Sequence, residues 1–446
     1  MKKHLANAAL GILDYASYPF GMLLVAPIVL HRLGAAEYGL WMIATAVISA
    51  GGIIASGFSD ANIQLVAHLR GIGDNSSIAR TVRSILGVNL ILGVTLAAAV
   101  WFAAPFAARH IATSPLTPAG DCLISLRIAG VLIAARAIET VAVSTQRAFE
   151  HYRGTVQIAT AVRLLTLASA AILAWRGRGT VAILSATGFF LVLGTCMQFL
   201  ELRRFVGPIS LWPAFRSDET RALLRTGIFV WLEALGGLIF GQFDRILLGV
   251  SLGALAVAPY ALCVQFAQPM VSLTASALNF FFPYLSSRAS TISNAALKRV
   301  LLKAFICNFA LVACCAVPLL LFGNSVIRLW AGPAVAAKAA TILPAIVAGA
   351  AMAGLSVTGT YSLQALALFR SAAGISLGAK ASMLVVMIFL LHRMGLQGLA
   401  IARVFYGSAA LLVYLPLFRH LSAGKRTARS LTPIAIPCEL REGSES

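Results

Sequence analysis

The stretch CLISLRIAGVLIAARAIETVAVSTQ, Cys122 to Gln146, embeds Arg127, Arg136 and Glu139 in an otherwise apolar run. Arg163, Glu233, Asp244, Arg245 and Arg403 are embedded in the same way elsewhere in the chain. An arginine at the centre of a bilayer costs about 2.5–3.5 kcal/mol on insertion scales, so such groups face protein or a water-filled cavity. A guanidinium presents a planar fork of donors that fits phosphate oxygens in two-point contact. Arg127, Arg136, Arg163 and Arg403 are therefore candidates for lining a cationic cavity, with Arg136 near mid-depth. The competing reading of Arg136 is that it neutralises Glu139, three residues on along the same helix face.

The carboxylates suggest coupling or gating. A buried carboxylate can take up and release a proton, which makes Glu233 a candidate coupling site; a salt bridge to an arginine of the other half of the chain is the competing reading. Asp244 and Arg245 are adjacent and so splay apart on a helix, one towards a gate and the other towards headgroups. Asp14 and Asp60 fall near the inner ends of the first two spans, where interfacial hydration accounts for them and an inner gate is the alternative.

The elements that must hold these charges are membrane helices. Of 446 residues, 59% are hydrophobic and 11% charged, against about a quarter charged in soluble domains, and the mean hydropathy is +0.88. Twelve runs reach the roughly 20 apolar residues needed to cross a bilayer. The net charge is +20, but the basic residues are scattered singly between apolar runs, which argues against nucleic acid as a partner and points to the positive-inside rule. With the amino terminus inside, 23 Lys and Arg fall on the cytoplasmic side and 8 outside. Both termini are then expected in the cytoplasm, and the start MKKHLANAALGILDYASYPF reads as an uncleaved first helix.

The chain also echoes itself. Leu33-Gly34-Ala35 recurs as Leu252-Gly253-Ala254, Asn89 as Asn308, Tyr38-x-Leu40 as Tyr260-x-Leu262 and Ser144-x-Gln146 as Ser362-x-Gln364, all at nearly one separation. Four matches in one order indicate a duplication, and six helices per half make the halves parallel repeats. The expected organisation is a six-helix lobe over 1–200, a cytoplasmic linker over 201–225, a second six-helix lobe over 226–418 and a cytoplasmic tail over 419–446. Gly34 and Gly253 mark tight hairpins. Pro19, Pro27, Pro259, Pro269, Pro283 and Pro344, with Gly51-Gly52 and Gly236-Gly237, are candidate bend points.

The run PIVLHRLGAAEYGLW, followed by GFSDANIQLVAH, and the later DRILLGVSLGALAVAPYALC resemble Wzx-type O-antigen flippases. These form the polysaccharide transport branch of the multidrug/oligosaccharidyl-lipid/polysaccharide (MOP) exporter superfamily. The resemblance implies an all-α, V-shaped, MATE-like pair of lobes in the bacterial inner membrane. It further implies that undecaprenyl-pyrophosphate-linked oligosaccharide, an O-antigen or exopolysaccharide repeat unit destined for lipopolysaccharide, is moved between leaflets by alternating access. Arg127, Arg136 and Arg163 would then act as stepping positions for the pyrophosphate. Membrane lipids and a polysaccharide polymerase are the implied partners, no cofactor is required, and a proton or sodium ion is the candidate driving ion.

Two alternatives stand beside it. A cation-coupled multidrug exporter of the same superfamily would favour an acidic cavity, which four span-embedded arginines oppose. A membrane glycan polymerase or ligase would need a sizeable outer loop, and the segments around 105–121 and 322–339 are short. No phosphate loop or H-E-x-x-H motif is present, and no catalytic constellation supports an enzyme. The seven histidines fall at span ends without metal-ligand spacing, and the seven cysteines lack C-x-x-C spacing and read as small apolar fillers.

Overall fold

In hydrocarbon every backbone N–H and C=O must be satisfied within its own segment, which restricts spanning elements to helices and closed barrels. The computed structural model describes residues 2–55, 58–71, 73–112, 118–149, 151–206, 212–213, 237, 239–278, 281–286, 293–366 and 368–422. Among them the chain is helical, with no strand. The first half comprises α1 (Lys2–Ala55), α2 (Ser59–Gly71), α3 (Asn75–Ile111), α4 (Ala119–Ala148), α5 (Tyr152–Trp175) and α6 (Thr180–Val206). The second begins with a π-helical turn at Ile239–Phe243 and continues through α7 (Asp244–Leu252), α8 (Ala254–Ala277), α9 (Phe281–Ser286), α10 (Asn294–Ala331) and α11 (Pro333–Ala340). It closes with α12 (Leu343–Ala365), α13 (Phe369–Met394), α14 (Leu396–Ala410), a 3₁₀ turn and α15 (Tyr414–Ser422).

Nine helices among the described residues are long and apolar enough to cross a membrane. Three of the twelve expected spans are not separately among them, each for a visible reason. The first span is the amino-terminal arm of α1, which runs on into the second through a break at Gly34. α4 carries Asp121, Arg127, Arg136, Glu139 and Arg147 in 30 residues, too much charge for an apolar window. The first part of the span expected over 226–249 lies outside the described residues, as do most of the linker and the tail beyond Ser422.

The internal repeat is visible in backbone geometry. Gly34 adopts φ 86°, ψ 171°, and Gly253 adopts φ 79°, ψ 169°, a left-handed conformation that costs a side chain energy and glycine nothing. Gly177 and Gly395, which join the last two helices of each half, both have positive φ as well. Asp74 caps α3 by accepting from the Ser77 N–H, and Ser293, at the matching position of the second half, caps α10 by accepting from the Ala296 N–H. The sequence echo is thus one folding unit laid down twice.

Apolar burial is divided unevenly between the two ends. At the end marked by Gly34 and Gly253, one continuous core draws on both halves, including Tyr38, Leu40, Ile43, Ile183, Tyr260, Ile346 and Leu399. At the opposite end, where α1 starts and α15 finishes, there are two private cores: Phe58, Val66, Ile85 and Val141 in the first half, and Phe281, Leu285, Leu363 and Leu417 in the second. The halves therefore join at the hairpin end and part towards the other, a V in cross-section. The join is close enough to require glycine. A Cβ on Gly39 of α1 would collide with the carbonyl of Ala254 at the start of α8, and one on Gly249 of α7 would strike Ile43 of α1. Apolar side chains also cover the outside, with Leu24 at 73%, Phe102 at 81% and Leu329 at 77% exposure, as expected of a surface solvated by lipid.

Of the proposed bend points, Pro259 and Pro269 lie inside α8 and Pro344 in the first turn of α12, where a missing N–H costs nothing. Residues 80 and 83 near the start of α3, and 298, 299 and 303 near the start of α10, place basic side chains at the parted end of both halves.

Candidate functional site

The charges of α4 do not act together. Arg136 and Glu139 form an ion pair of 2.5 Å, with the arginine side chain 38% exposed and the carboxylate 7%. α1 flanks this pair through Gly52, where an added Cβ would lie 3.9 Å from the Arg136 Cβ. α3 flanks it on the other side, where the Asn89 amide donates to the Ala137 carbonyl at 3.3 Å. α1 and α3 are also the first-half helices that meet α7 of the second half, so Arg136 sits where the halves begin to separate. Arg127 is nine residues away, half a helical revolution at 100° per residue, and lies on the opposite face beside the exposed Ile124 and Val131. Its guanidinium covers the Trp101 ring at 4.7 Å, a cation–π contact that shields charge near lipid. Arg163 is half-buried on α5, which packs against α1 and α6. The structure does not bring the three arginines into one row.

Arg403 and Asp244, read from sequence as binder and gate, are partners. The Asp244 carboxylate is fully buried and ion-paired with the Arg403 guanidinium. The hydroxyl of Tyr260, itself fully buried, completes the group: it donates to the Asp244 Oδ2 at 2.5 Å and accepts from the Arg403 Nε at 2.8 Å. α7, α8 and α14 are thereby locked within the second half. Sequence spacing marks Tyr260 only as a repeat of Tyr38. The two hydroxyls differ in their partners, since that of Tyr38 donates to the Gln265 Oε1 at 3.1 Å, bridging the halves. Glu233 lies outside the described residues, and so do the side chains of Asp14 and Asp60.

Arg245 takes the other direction. It lies one turn from Gly249 on α7, on the face that packs against Ile43 of the first half, and its Nε is shielded with no partner. Gln242 Oε1 in the preceding π-helical turn and Gln265 Nε2 on α8 are shielded and unpartnered as well. The π turn is the signal that draws notice to these residues, because π-bulges gather at functional positions; sequence alone does not disclose one. Three of the histidines, His31, His110 and His392, each bond through Nδ1 to the carbonyl four residues earlier.

Charge departs from the repeat that geometry obeys. At the local offsets, Arg136 corresponds to Gly354, Arg127 to Ala345, Asp244 to Val25 and Arg403 to Ser185. The scaffold is duplicated and its ionic groups are particular to one half.

Among the described residues the chain is helical throughout, with an apolar outer surface and two repeated halves joined at one end. The chain belongs to the polysaccharide biosynthesis protein family, whose pattern it matches over residues 29–332. Among solved structures, it is similar to the lipid II flippase MurJ in an inward closed conformation, at TM-score 0.73 and 14% identity, covering 92% of this chain and 87% of that one. An inward-facing multidrug resistance MATE family transporter of the MOP superfamily gives TM-score 0.68 at 16% identity over 93% of this chain and 99% of that one. An outward-facing MATE transporter gives 0.58 at 16% identity over 94% and 95%. A curated relative, a probable multidrug resistance protein NorM of Rhizobium meliloti (strain 1021), is 38% identical over 74 residues. That match spans 17% of this chain and 16% of the relative.

Proposed function

We propose that the protein is a flippase, moving undecaprenyl-pyrophosphate-linked oligosaccharide across the bacterial inner membrane. The observation that carries this reading is the V itself: one mixed core at the hairpin end, two private cores at the other, and the Arg136–Glu139 pair at the fork. The excess of basic residues at the parted end supports a cytoplasmic position for it, where a lipid-linked glycan would enter. Rocking of one half on the other then re-forms the contact at the opposite end. Arg136 is the residue for the pyrophosphate: it can exchange Glu139 for the incoming anion, which matches its fork at two points. Asp244 and Arg403 keep the second half rigid as it moves.

A polymerase or ligase loses support at one of its two candidate outer segments, because residues 322–339 end α10 and form most of α11 rather than an extended loop. The drug-exporter reading draws on the short NorM match and on the likeness of the fold to MATE transporters. The unpartnered guanidinium nitrogen of Arg245 disfavours a cationic cargo in its place.

The test is replacement of Arg136 by Ala in cells, with membrane insertion checked by fractionation. Surface polysaccharide should be lost and lipid-linked oligosaccharide should accumulate in the cytoplasmic leaflet. Normal surface polysaccharide would remove Arg136 from the site, and drug sensitivity without any glycan change would favour the exporter.

A further inference from the structure

We infer that Gln242, Arg245, Gln265 and Tyr38 form a sugar-hydroxyl subsite at the closed end of the cleft; this rests on the flippase reading above. Counted from the hairpin at Gly253, Gln242 lies eleven residues back and Gln265 twelve residues on. The two amides are therefore at the same depth, roughly 17 Å from the hairpin by helical rise. Arg245 is one turn nearer the hairpin, on the α7 face that meets α1. Tyr38 reaches over from α1 to Gln265, with its ring edge-to-face against Trp41 at 6.1 Å.

The chemistry of the unpartnered atoms selects the ligand. Buried polar groups are nearly always hydrogen-bonded, yet Gln242 Oε1, Arg245 Nε and Gln265 Nε2 are shielded without partners. One is an acceptor and two are donors, and each amide carries both kinds of atom whichever way it is turned. A phosphate group only accepts, so with Gln242 oriented as it is, the carbonyl oxygen would face a second acceptor. A hydroxyl both donates and accepts, so neighbouring sugar hydroxyls can satisfy all three. The position suits this as well. Gly52, beside Arg136, lies fourteen residues beyond Tyr38 on α1, about 21 Å along the same helix by its rise. A pyrophosphate at Arg136 would thus leave its glycan at the closed end. Asp244 is committed to Arg403, whereas the Arg245 Nε is left without a partner.

The experiment measures binding to the purified full-length protein in nanodiscs. The two probes are undecaprenyl pyrophosphate and the undecaprenyl-pyrophosphate-linked oligosaccharide isolated from cells lacking this protein. The glycan-bearing probe should bind at least tenfold more tightly. Gln242→Leu should abolish that advantage while leaving the bare lipid unchanged, Gln242→Asn should restore part of it, and Tyr38→Phe, which keeps the ring packing, should weaken glycan binding alone. Arg136→Ala should weaken both probes. Equal affinity of the two probes, or equal losses for both in Gln242→Leu, overturns the sugar subsite while leaving the flippase reading intact. Failure of the native protein to bind either probe overturns both.

Discussion

Asn89 and Asn308, equivalent positions of the two halves and both buried, make the same kind of hydrogen-bond pair, one to a backbone carbonyl and one to a matched threonine. The Asn89 amide donates to the Ala137 carbonyl and the Thr140 hydroxyl, and the Asn308 amide to the Gly354 carbonyl and the Thr358 hydroxyl. Each ties the third helix of its half to the fourth. Leaving a buried partner unsatisfied costs about 1–3 kcal/mol, so Asn89→Ala and Asn308→Ala should each lower the thermal midpoint in detergent, by similar amounts. A large loss in one and none in the other would mean that the clamps are not equivalent.

Breaking the buried pair from one side should be worse than removing it. Arg403→Met alone leaves Asp244 charged and enclosed, a defect of about 3–5 kcal/mol, and Asp244→Leu strands the arginine. The double variant, with apolar groups of similar bulk, should recover most of the loss. Thermal unfolding of the four proteins decides it; a double variant as unstable as the sum of the singles would contradict the account.

Gly39 is the sharpest probe of how the halves meet. Its close approach to the Ala254 carbonyl leaves no space for a side chain, so Gly39→Val should prop the hairpin end apart and draw the opposite ends together. Spin labels at positions 80 and 299 in a cysteine-free background should report a shorter distance than in the parent. An unchanged distance in a folded variant would show that this contact does not hold the join.

The cap of α3 should be indifferent to physiological acidification. Hydrogen bonds from the Ser77 hydroxyl, the Ser77 backbone N–H and the Ser76 hydroxyl hold the Asp74 carboxyl down at about 2. A folded-state value below the ordinary one stabilises at all pH above the ordinary carboxylate range, and the contribution is lost only as pH falls towards 2. Protection of the Ser77 amide against hydrogen exchange should thus hold steady from pH 7 to 5, while Asp74→Ala should reduce it at every pH in that range. A protection factor that collapsed near pH 5 would refute the cap's depressed titration.

Much of the architecture can be read directly from spacing. Gly34 with Gly253 and Asn89 with Asn308 announce the repeat because a left-handed turn accepts few residues and a buried amide needs a fixed partner. The membrane class follows from composition. Partnerships are less legible, since Arg403 finds Asp244 from the far end of the second half and no local pattern encodes that meeting. Depth orders Arg127 and Arg136 as steps on one path, although nine residues on one helix already imply opposite faces. The amides of Gln242 and Gln265 are invisible as a pair because only the hairpin at Gly253 brings them level. The matched tyrosines mislead for a related reason: Tyr260 lies further past Gly253 than Tyr38 lies past Gly34, so they occupy different steps of the two hairpins.

Like charges gather where the arms part, from the residues at 80 and 83 on one side and 298, 299 and 303 on the other. Where the two sets come within about 8 Å at physiological ionic strength, Coulomb repulsion opposes closing of the mouth like a spring. An anionic guest entering between the arms would slacken that spring by its own charge, making occupancy itself the trigger for closure, and added salt would imitate the guest.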